Sequence, residues 1–341
     1  MSVEPTAGVH SDQNPRISIL MASCNGEAYL GEQIDSIQKQ DYPHWHLILR
    51  DDCSQDATME VAESIAREDE RIQIIRDDLG NQGAAGNFGV LLRYAKEMDA
   101  EYVCFADQDD VWQPWKLGRQ MALMSEIEAR RGEQLPVLVH SDLAVVDEQL
   151  RIVSRSFMAF QRIRHEESSP LVVLLVQNYV TGCTVMINRA LLDFALPIPT
   201  SALMHDWWLA LCAAACGELA FLPDATVLYR QHRKNVVSAR EFWRMLNPLR
   251  TDWRKRWLEG HTHFLQSFDQ VRTLRERMLE RGWHSNEPAL RLVNHYLATW
   301  DSRQSPLQRI LNIVRLGVHR QNILTQVLFL ARVFFTPYAK K

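Results

Sequence analysis

The sequence predicts an α/β fold on a mostly parallel sheet, followed by an all-helical region, and three observations predict it. Short β-rich runs alternate with helical apolar periods between Ile17 and Ala106, the pattern of β-α-β units. Polar, carboxylate-rich clusters stand directly after three of those runs. The charge also changes sign: 341 residues carry a net −4, but residues 1–239 sum to −14 and residues 240–341 to +10. With 46% hydrophobic and 23% charged side chains the chain has material for one large or two modest units, which excludes disorder. Its 14 Gly and 13 Pro are scattered, which excludes collagen-like and linker-like classes.

The elements follow in order. Ile17 to Ala22 is an apolar run of strand length, and Ala28 to Gln38 is a helix with Leu30, Ile34 and Ile37 on one face. Trp45 to Leu49 is the second strand, Ala57 to Ala66 a helix, Arg71 to Arg76 a third strand, Ala84 to Glu97 a helix and Tyr102 to Ala106 a buried strand. A second block has strands at Val137 to His140, Val180 to Ile187 and Thr226 to Tyr229, with a helix over Asp206 to Ala215. From Arg240 onward the pattern is helical, rich in Trp and Arg, and broken at Pro248, Pro288 and Pro306.

Three units result: a polar tail over 1–15, an α/β domain over 16–239 and a basic helical region over 240–341. The tail has no apolar segment of a secretory signal, and no stretch has the roughly 18 uncharged apolar residues of a spanning helix. The six cysteines contain no C-x-x-C pair and read as reduced thiols in a cytoplasmic compartment. Cys212 and Cys216, at helical spacing among alanines, read as packing.

Parallel sheets bind ligands beyond the C-terminal ends of their strands, so the clusters there carry the chemistry. They are Ser23-Cys24-Asn25-Gly26-Glu27, Asp51-Asp52-Cys53-Ser54-Gln55-Asp56 and Asp107-Gln108-Asp109-Asp110. So many carboxylates at one edge are costly unless a cation or several donors sit among them. The last cluster is a D-x-D pattern, whose carboxylates suit magnesium or manganese with substrate phosphates. Ser54 and Asp56 equally suit a helix N-cap, a role that explains Asp51 and Asp52 poorly. Asp206, opening a helix, has the same alternative.

In order and spacing these clusters, with Asn81-x-Gly83-x-x-x-Asn87 and Phe105-x-Asp107-Gln108-Asp109-Asp110-x-Trp112, resemble family 2 glycosyltransferases of GT-A fold. His205-Asp206-Trp207-Trp208 and Tyr229-Arg230-Gln231-His232-x-x-Asn235 are similar to the rhamnosyltransferase-like branch. The resemblance spans Ile17 to Asn235 and implies a metal-dependent, inverting transfer of one sugar, L-rhamnose from dTDP-L-rhamnose, to a lipid-linked or polysaccharide precursor. It implies Asp206 as general base. It further implies Ser23, Asn25, Glu27, Asp51, Asp52, Asn87, Asp107, Gln108 and Arg230 at the nucleotide sugar, Asp109 and His232 on the Mg2+ or Mn2+ ion, and Thr181, Gly182, His205, Trp207 and Trp208 at the acceptor. Asp142 stands as the second candidate for the base. Cys53 departs from the usual Gly and Cys24 from a common Tyr. No Gln-x-x-Arg-Trp pattern of processive synthases occurs. The alternatives are a sugar nucleotidyltransferase, against which the loop Ser23 to Leu30 lacks any basic residue, and a glycan-binding protein retaining the fold.

In the C-terminal region Leu307, Ile310, Leu311, Val314 and Val318 form one stripe and Leu324, Val327, Leu328, Ala331 and Phe335 another. Arg309, Arg315, Arg320 and Arg332 flank them, and seven basic residues but no acidic one follow Asp301. The pattern predicts interfacial helices at the inner face of the cytoplasmic membrane, on anionic lipid. On that reading, removing Leu307 to Lys341 leaves a soluble protein. The alternative packs both stripes on the catalytic domain or on a second copy in a homodimer. No nucleic-acid reading motif is present.

Overall fold

The computed structural model describes residues 15–232, 253–301 and 303–336. The tail over 1–14, Arg233, Lys234, Asn235, Pro248 and the boundary at 239/240 lie outside the described residues.

The first strands form as the apolar runs require: β1 (Ile17–Ser23), β2 (Trp45–Asp51), β3 (Ile72–Ile75) and β4 (Tyr102–Asp107), joined by helices α1 (Leu30–Gln38), α2 (Thr58–Ala66) and α3 (Gly83–Glu97). These four strands are parallel, in the order β3-β2-β1-β4. Leu30, Ile34 and Ile37 of α1 are wholly buried. Beyond β4 the sheet turns mixed, continuing through β8 (Met186–Asn188), β6 (Val137–Val146), β9 (Glu218–Arg230) and β5 (Val111–Trp112), with β7 (Ile152–Ser154) on β6.

Both faces of the sheet are covered. One carries α1, α2 and α4 (Lys116–Arg131), whose Leu117, Met121, Met124 and Ile127 repeat at helical spacing. The other carries α3, the short α6 (Pro170–Leu174), α7 (Arg189–Ala195) and α8 (His205–Cys216). The short α5 (Phe157–Gln161) lies against β6. Cys212 and Cys216 are buried in α8 as packing residues.

The helical region consists, among the described residues, of α9 (Trp253–Glu280), α10 (Pro288–Ala298), α11 (Pro306–Arg315) and α12 (Ile323–Phe335). Pro288 and Pro306 open α10 and α11, where the missing N–H costs nothing. Phe264, Val271, Leu290, Ile313, Phe329 and Val333 join the same core as Trp208 and Leu209 of α8, so the region shares the α/β domain's core.

Two expectations change. Val180 to Ile187 is not one strand: Gly182–Thr184 is a 3-10 turn before β8, because the Gly182 N–H turns to the Asp206 carboxylate and Thr181 O accepts from Thr184. The strands at Val137 and Thr226 are longer than their apolar runs. β6 and β9 pair in parallel across a register shift at Ser141 and Asp142, so polar residues that break the run do not end the strand.

Candidate active site

Register sets the site. Ser23 of β1 lies opposite Asp51 of β2, and Ala22 opposite Asp107 of β4, so the three polar clusters stand level at one sheet edge. The loops there are tied to one another. Gln108 clamps Cys24, accepting its N–H at 2.7 Å and donating to its carbonyl at 2.9 Å. This clamp covers Gly26, where a Cβ would stand 2.3 Å from the Gln108 Oε1. Asn25 donates its N–H to Ser54 Oγ and accepts from Gln55 N–H. Glu27 accepts the Ala57 N–H at 2.8 Å, occupying an orphan donor at the start of α2. Asn25 and Cys53 both have positive φ, 53° and 66°.

Asp51 and Asp52 part company. Asp52 is buried, and its oxygens accept from Arg50, Gln82 N–H and Gly83 N–H at 2.7–2.9 Å. Asp51 is half-buried and takes Ser23 Oγ, Ser54 N–H and Ser54 Oγ. Of the two, Asp51 has the surface to meet a ligand. Ser54 thus braces Asp51, and Asp56 takes the Thr58 N–H; Ala57, not either of them, stands at the N-cap of α2.

At the end of β4, Asp107 and Asp109 are half-buried and Asp110 is wholly buried. Burial, then Asp109 and Asp206, push the Asp107 carboxyl up to about 7. Asp109 Oδ2 lies 2.7 Å from His232 Nε2, and that imidazole stacks on Tyr29 at 5.0 Å. Asp109 and His232 offer a carboxylate and an imidazole, donors that manganese or magnesium accepts, and a cation there would offset the crowding that raises Asp107. Asp107, Asp110 and Cys183 have ligand atoms within 4.8 Å of one another. Burial, with Asp109 and Asp107 adding to it, raises Asp110 well above the ordinary range, and its Oδ2 has no hydrogen-bond partner among the described residues.

Asp206 sits in the first turn of α8, two residues after the N-cap Met204, so it is not the cap residue. Its oxygens accept from Gly182 N–H at 3.0 Å and Asn178 Nδ2 at 3.2 Å. Burial raises its pKa to about 6 against these hydrogen bonds. A buried carboxylate beside Asp107, still ionised at neutral pH, has the properties of a proton acceptor.

Several expected ligand contacts are instead supports. Ser23 is buried and donates to Asp51. Asn87 is buried and bonds both the Arg50 guanidinium and its carbonyl. Arg230 is buried, giving its guanidinium to the Asp109 and Glu148 carbonyls and to Glu32, so it ties loops together. His205 is buried between Phe88 and Phe105, at 4.0 and 5.0 Å, and burial lowers its pKa to about 3. Trp208 is wholly buried, with its indole N–H on the Ala195 carbonyl. Neither His205 nor Trp208 has surface to offer an acceptor. Trp207 and Thr181 are half-buried, and a Cβ on Gly182 would stand 2.9 Å from His205 Nε2. Asp142, the second candidate base, accepts from Ser156, Phe157 and Met158 at the start of α5.

Sequence reasoning missed Tyr29, Glu32 and Asn178. Gln177-Asn178 interrupts the apolar run Leu171 to Val180, a legible signal for Asn178. Glu32 and Tyr29 carry none, since their partners lie about two hundred residues away.

Residues 18–130 match the profile described as glycosyl transferase family 2. A candidate teichuronic acid biosynthesis glycosyltransferase, TuaG of Bacillus subtilis, is 35% identical over 51% of this chain and 63% of its own length. The UDP-Glc:alpha-D-GlcNAc-diphosphoundecaprenol beta-1,3-glucosyltransferase WfgD of Escherichia coli is 30% identical over 53% and 64%. The dTDP-rhamnosyl transferase RfbG of Shigella flexneri is 25% identical over 68% and 80%. The chain thus spans slightly under two thirds of the first two relatives. Among solved structures, S. aureus TarS 1-349 in complex with UDP superposes with a TM-score of 0.52 at 19% identity, over 88% of this chain and 80% of that one, a likeness of fold.

Proposed function

On the premise that residues 18–130 belong to glycosyl transferase family 2, on a GT-A fold, we propose that this protein is an inverting, metal-dependent glycosyltransferase. It moves one sugar from a nucleotide-diphosphate donor to a lipid-linked precursor of a cell-envelope polysaccharide. The observation that carries this reading is the buried Asp206 carboxylate, oriented by Gly182 and Asn178 near Asp107, at the strand end that also carries the Asp109–His232 pair.

In the reaction, Asp206 takes the proton of the acceptor hydroxyl as that oxygen bonds the anomeric carbon, and the bond from that carbon to the diphosphate oxygen breaks on the opposite side. Asp51 and the loops held by Gln108, Asn25 and Glu27 receive the nucleoside. Asp109 and His232, with Asp107 at the end of the same strand, would hold the divalent cation, which would offset the charge developing on the departing diphosphate. Thr181 and Trp207 border the acceptor. The donor is dTDP-L-rhamnose, a choice supported by the motifs at His205 and Tyr229 and by the likeness to RfbG. Residues 16–239 form the catalytic domain and 240–341 a basic helical region. The enzyme works at the inner face of the cytoplasmic membrane, a place supported by the diphosphoundecaprenol-linked acceptor of WfgD.

A thermal-shift screen tests this. The unfolding midpoint should rise with dTDP-L-rhamnose more than with UDP- or GDP-sugars, and only with Mn2+ or Mg2+ present, because a ligand of the folded state stabilises by mass action. Asp109→Asn should remove the metal-dependent rise. Full turnover in EDTA would sink the metal claim; a larger shift with another nucleotide sugar would replace the donor.

A further inference from the structure

The C-terminal helices present two unlike faces. Inward, Ile313, Val318, Phe329 and Val333 are buried in the core shared with α8. Outward, Leu307, Leu311 and Val314 of α11 and Ile323, Val327 and Phe335 of α12 are exposed, Ile323 at 84% and Phe335 at 68%. The two helices pack against each other, so one helical pair carries these six exposed large apolar side chains, and clustered exposure of this kind marks interaction surfaces.

The arginines do not all flank that surface. Arg309 is buried and donates to the Thr336 carbonyl, Arg332 lies over the Trp257 ring, and burial lowers Arg320 to about 10. Arg303 and Arg315 are exposed. No acidic residue follows Asp301, so nothing from there to the chain's last residue repels an anionic partner. None of the described helices is long and apolar enough to cross a bilayer.

We propose that the outward face of α11 and α12 docks on an anionic lipid bilayer, lying in its interface with the apolar side chains inserted. Apolar burial supplies the attachment, and a basic, acid-free segment selects anionic headgroups. The surface also connects to the base. In the loop between α11 and α12, Gln321 accepts the Arg164 N–H at 2.9 Å and donates to the Arg164 carbonyl at 2.7 Å, while its own N–H meets Gln177 Oε1 at 3.1 Å. The next residue, Asn178, holds Asp206. Docking therefore sets the acceptor loop at the lipid surface, a purpose that rests on the glycosyltransfer reading; the docking surface itself does not.

Co-sedimentation of the full chain with vesicles decides the matter, comparing phosphatidylcholine alone with phosphatidylcholine plus phosphatidylglycerol. The protein should pellet with the anionic vesicles at low salt and be partly released at about 1 M salt, where the Debye length falls to roughly 3 Å. Leu311→Glu with Val327→Glu, both at exposed positions, should weaken binding at least about tenfold with an unchanged unfolding midpoint; Leu311→Ser with Val327→Ser serves if the first pair disturbs folding. No pelleting at low salt overturns the proposal, as does binding that both pairs leave intact. So does a concentration-dependent dimer that the variants dissolve without any vesicle binding, which gives the face to a second copy. Donor binding measured in solution fails only if the glycosyltransfer reading fails, so the two failures are separable.

Discussion

With its carboxyl raised to about 6 by burial, Asp206 is ionised at neutral pH and protonated in mild acid. Turnover should therefore fall about tenfold per pH unit below 6. The stability sign is opposite. The folded state holds this proton more tightly than the unfolded chain, so Asp206 contributes stability below its ordinary value of 3.8 and loses it as pH rises to about 6. That difference amounts to roughly 3 kcal/mol. Asp206→Asn should accordingly keep or raise the unfolding midpoint near neutral pH while lowering kcat by about two to four orders of magnitude. Unfolding in step with lost activity would mark it as structural. Cys53, at φ 66°, occupies left-handed backbone that costs a side-chain-bearing residue roughly 1 kcal/mol or more. Cys53→Gly should stabilise by up to about 1 kcal/mol, read as a higher midpoint.

The end of β2 organises the loop before α3. Arg50 is buried between Asp52 and Asp77 and also donates to Asn87 and the Gly80 carbonyl. Asp52 in turn fastens Gln82 and Gly83. Removing Asp52 leaves Arg50 with Asp77 as its one carboxylate partner and takes the acceptor from the Gln82 and Gly83 N–H groups, so Asp52→Ala should cost about 2–4 kcal/mol in denaturant unfolding. A loss below about 1 kcal/mol would mean that the pair behaves as a surface one. The same element shows the limits of motif reading. The spacing of Asp51, Asp52 and Asn87 was legible, but only the packing of α3 against β1 and β2 separates the half-buried Asp51 from the buried Asp52 and Asn87, which brace the loop.

Across the whole molecule, the helical region belongs to the α/β domain's core. Truncation after Ser305 would expose the partners of Ile313, Val318, Phe329 and Val333. The truncated chain should aggregate or melt well below the full protein, contrary to the soluble fragment expected from treating both stripes as wholly lipid-facing. A soluble, cooperatively folded fragment by circular dichroism would overturn this. Each helix has two apolar faces, and a stripe count by itself does not say which one the core claims.

Local physics made much of this protein readable from its residues. Strand-length apolar runs, helical periods in α1 and α3, and carboxylates directly after β1, β2 and β4 follow from neighbours close in sequence, and a parallel register then aligns the clusters. Tertiary structure alone decided which polar residues keep access to ligand. Arg230 reaches Glu32 across the fold, Asn178 and Gly182 hold Asp206, and His205 and Trp208 turn into the core. Burial and long-range hydrogen bonding depend on what packs from distant parts of the chain, and residue spacing holds no record of that distance.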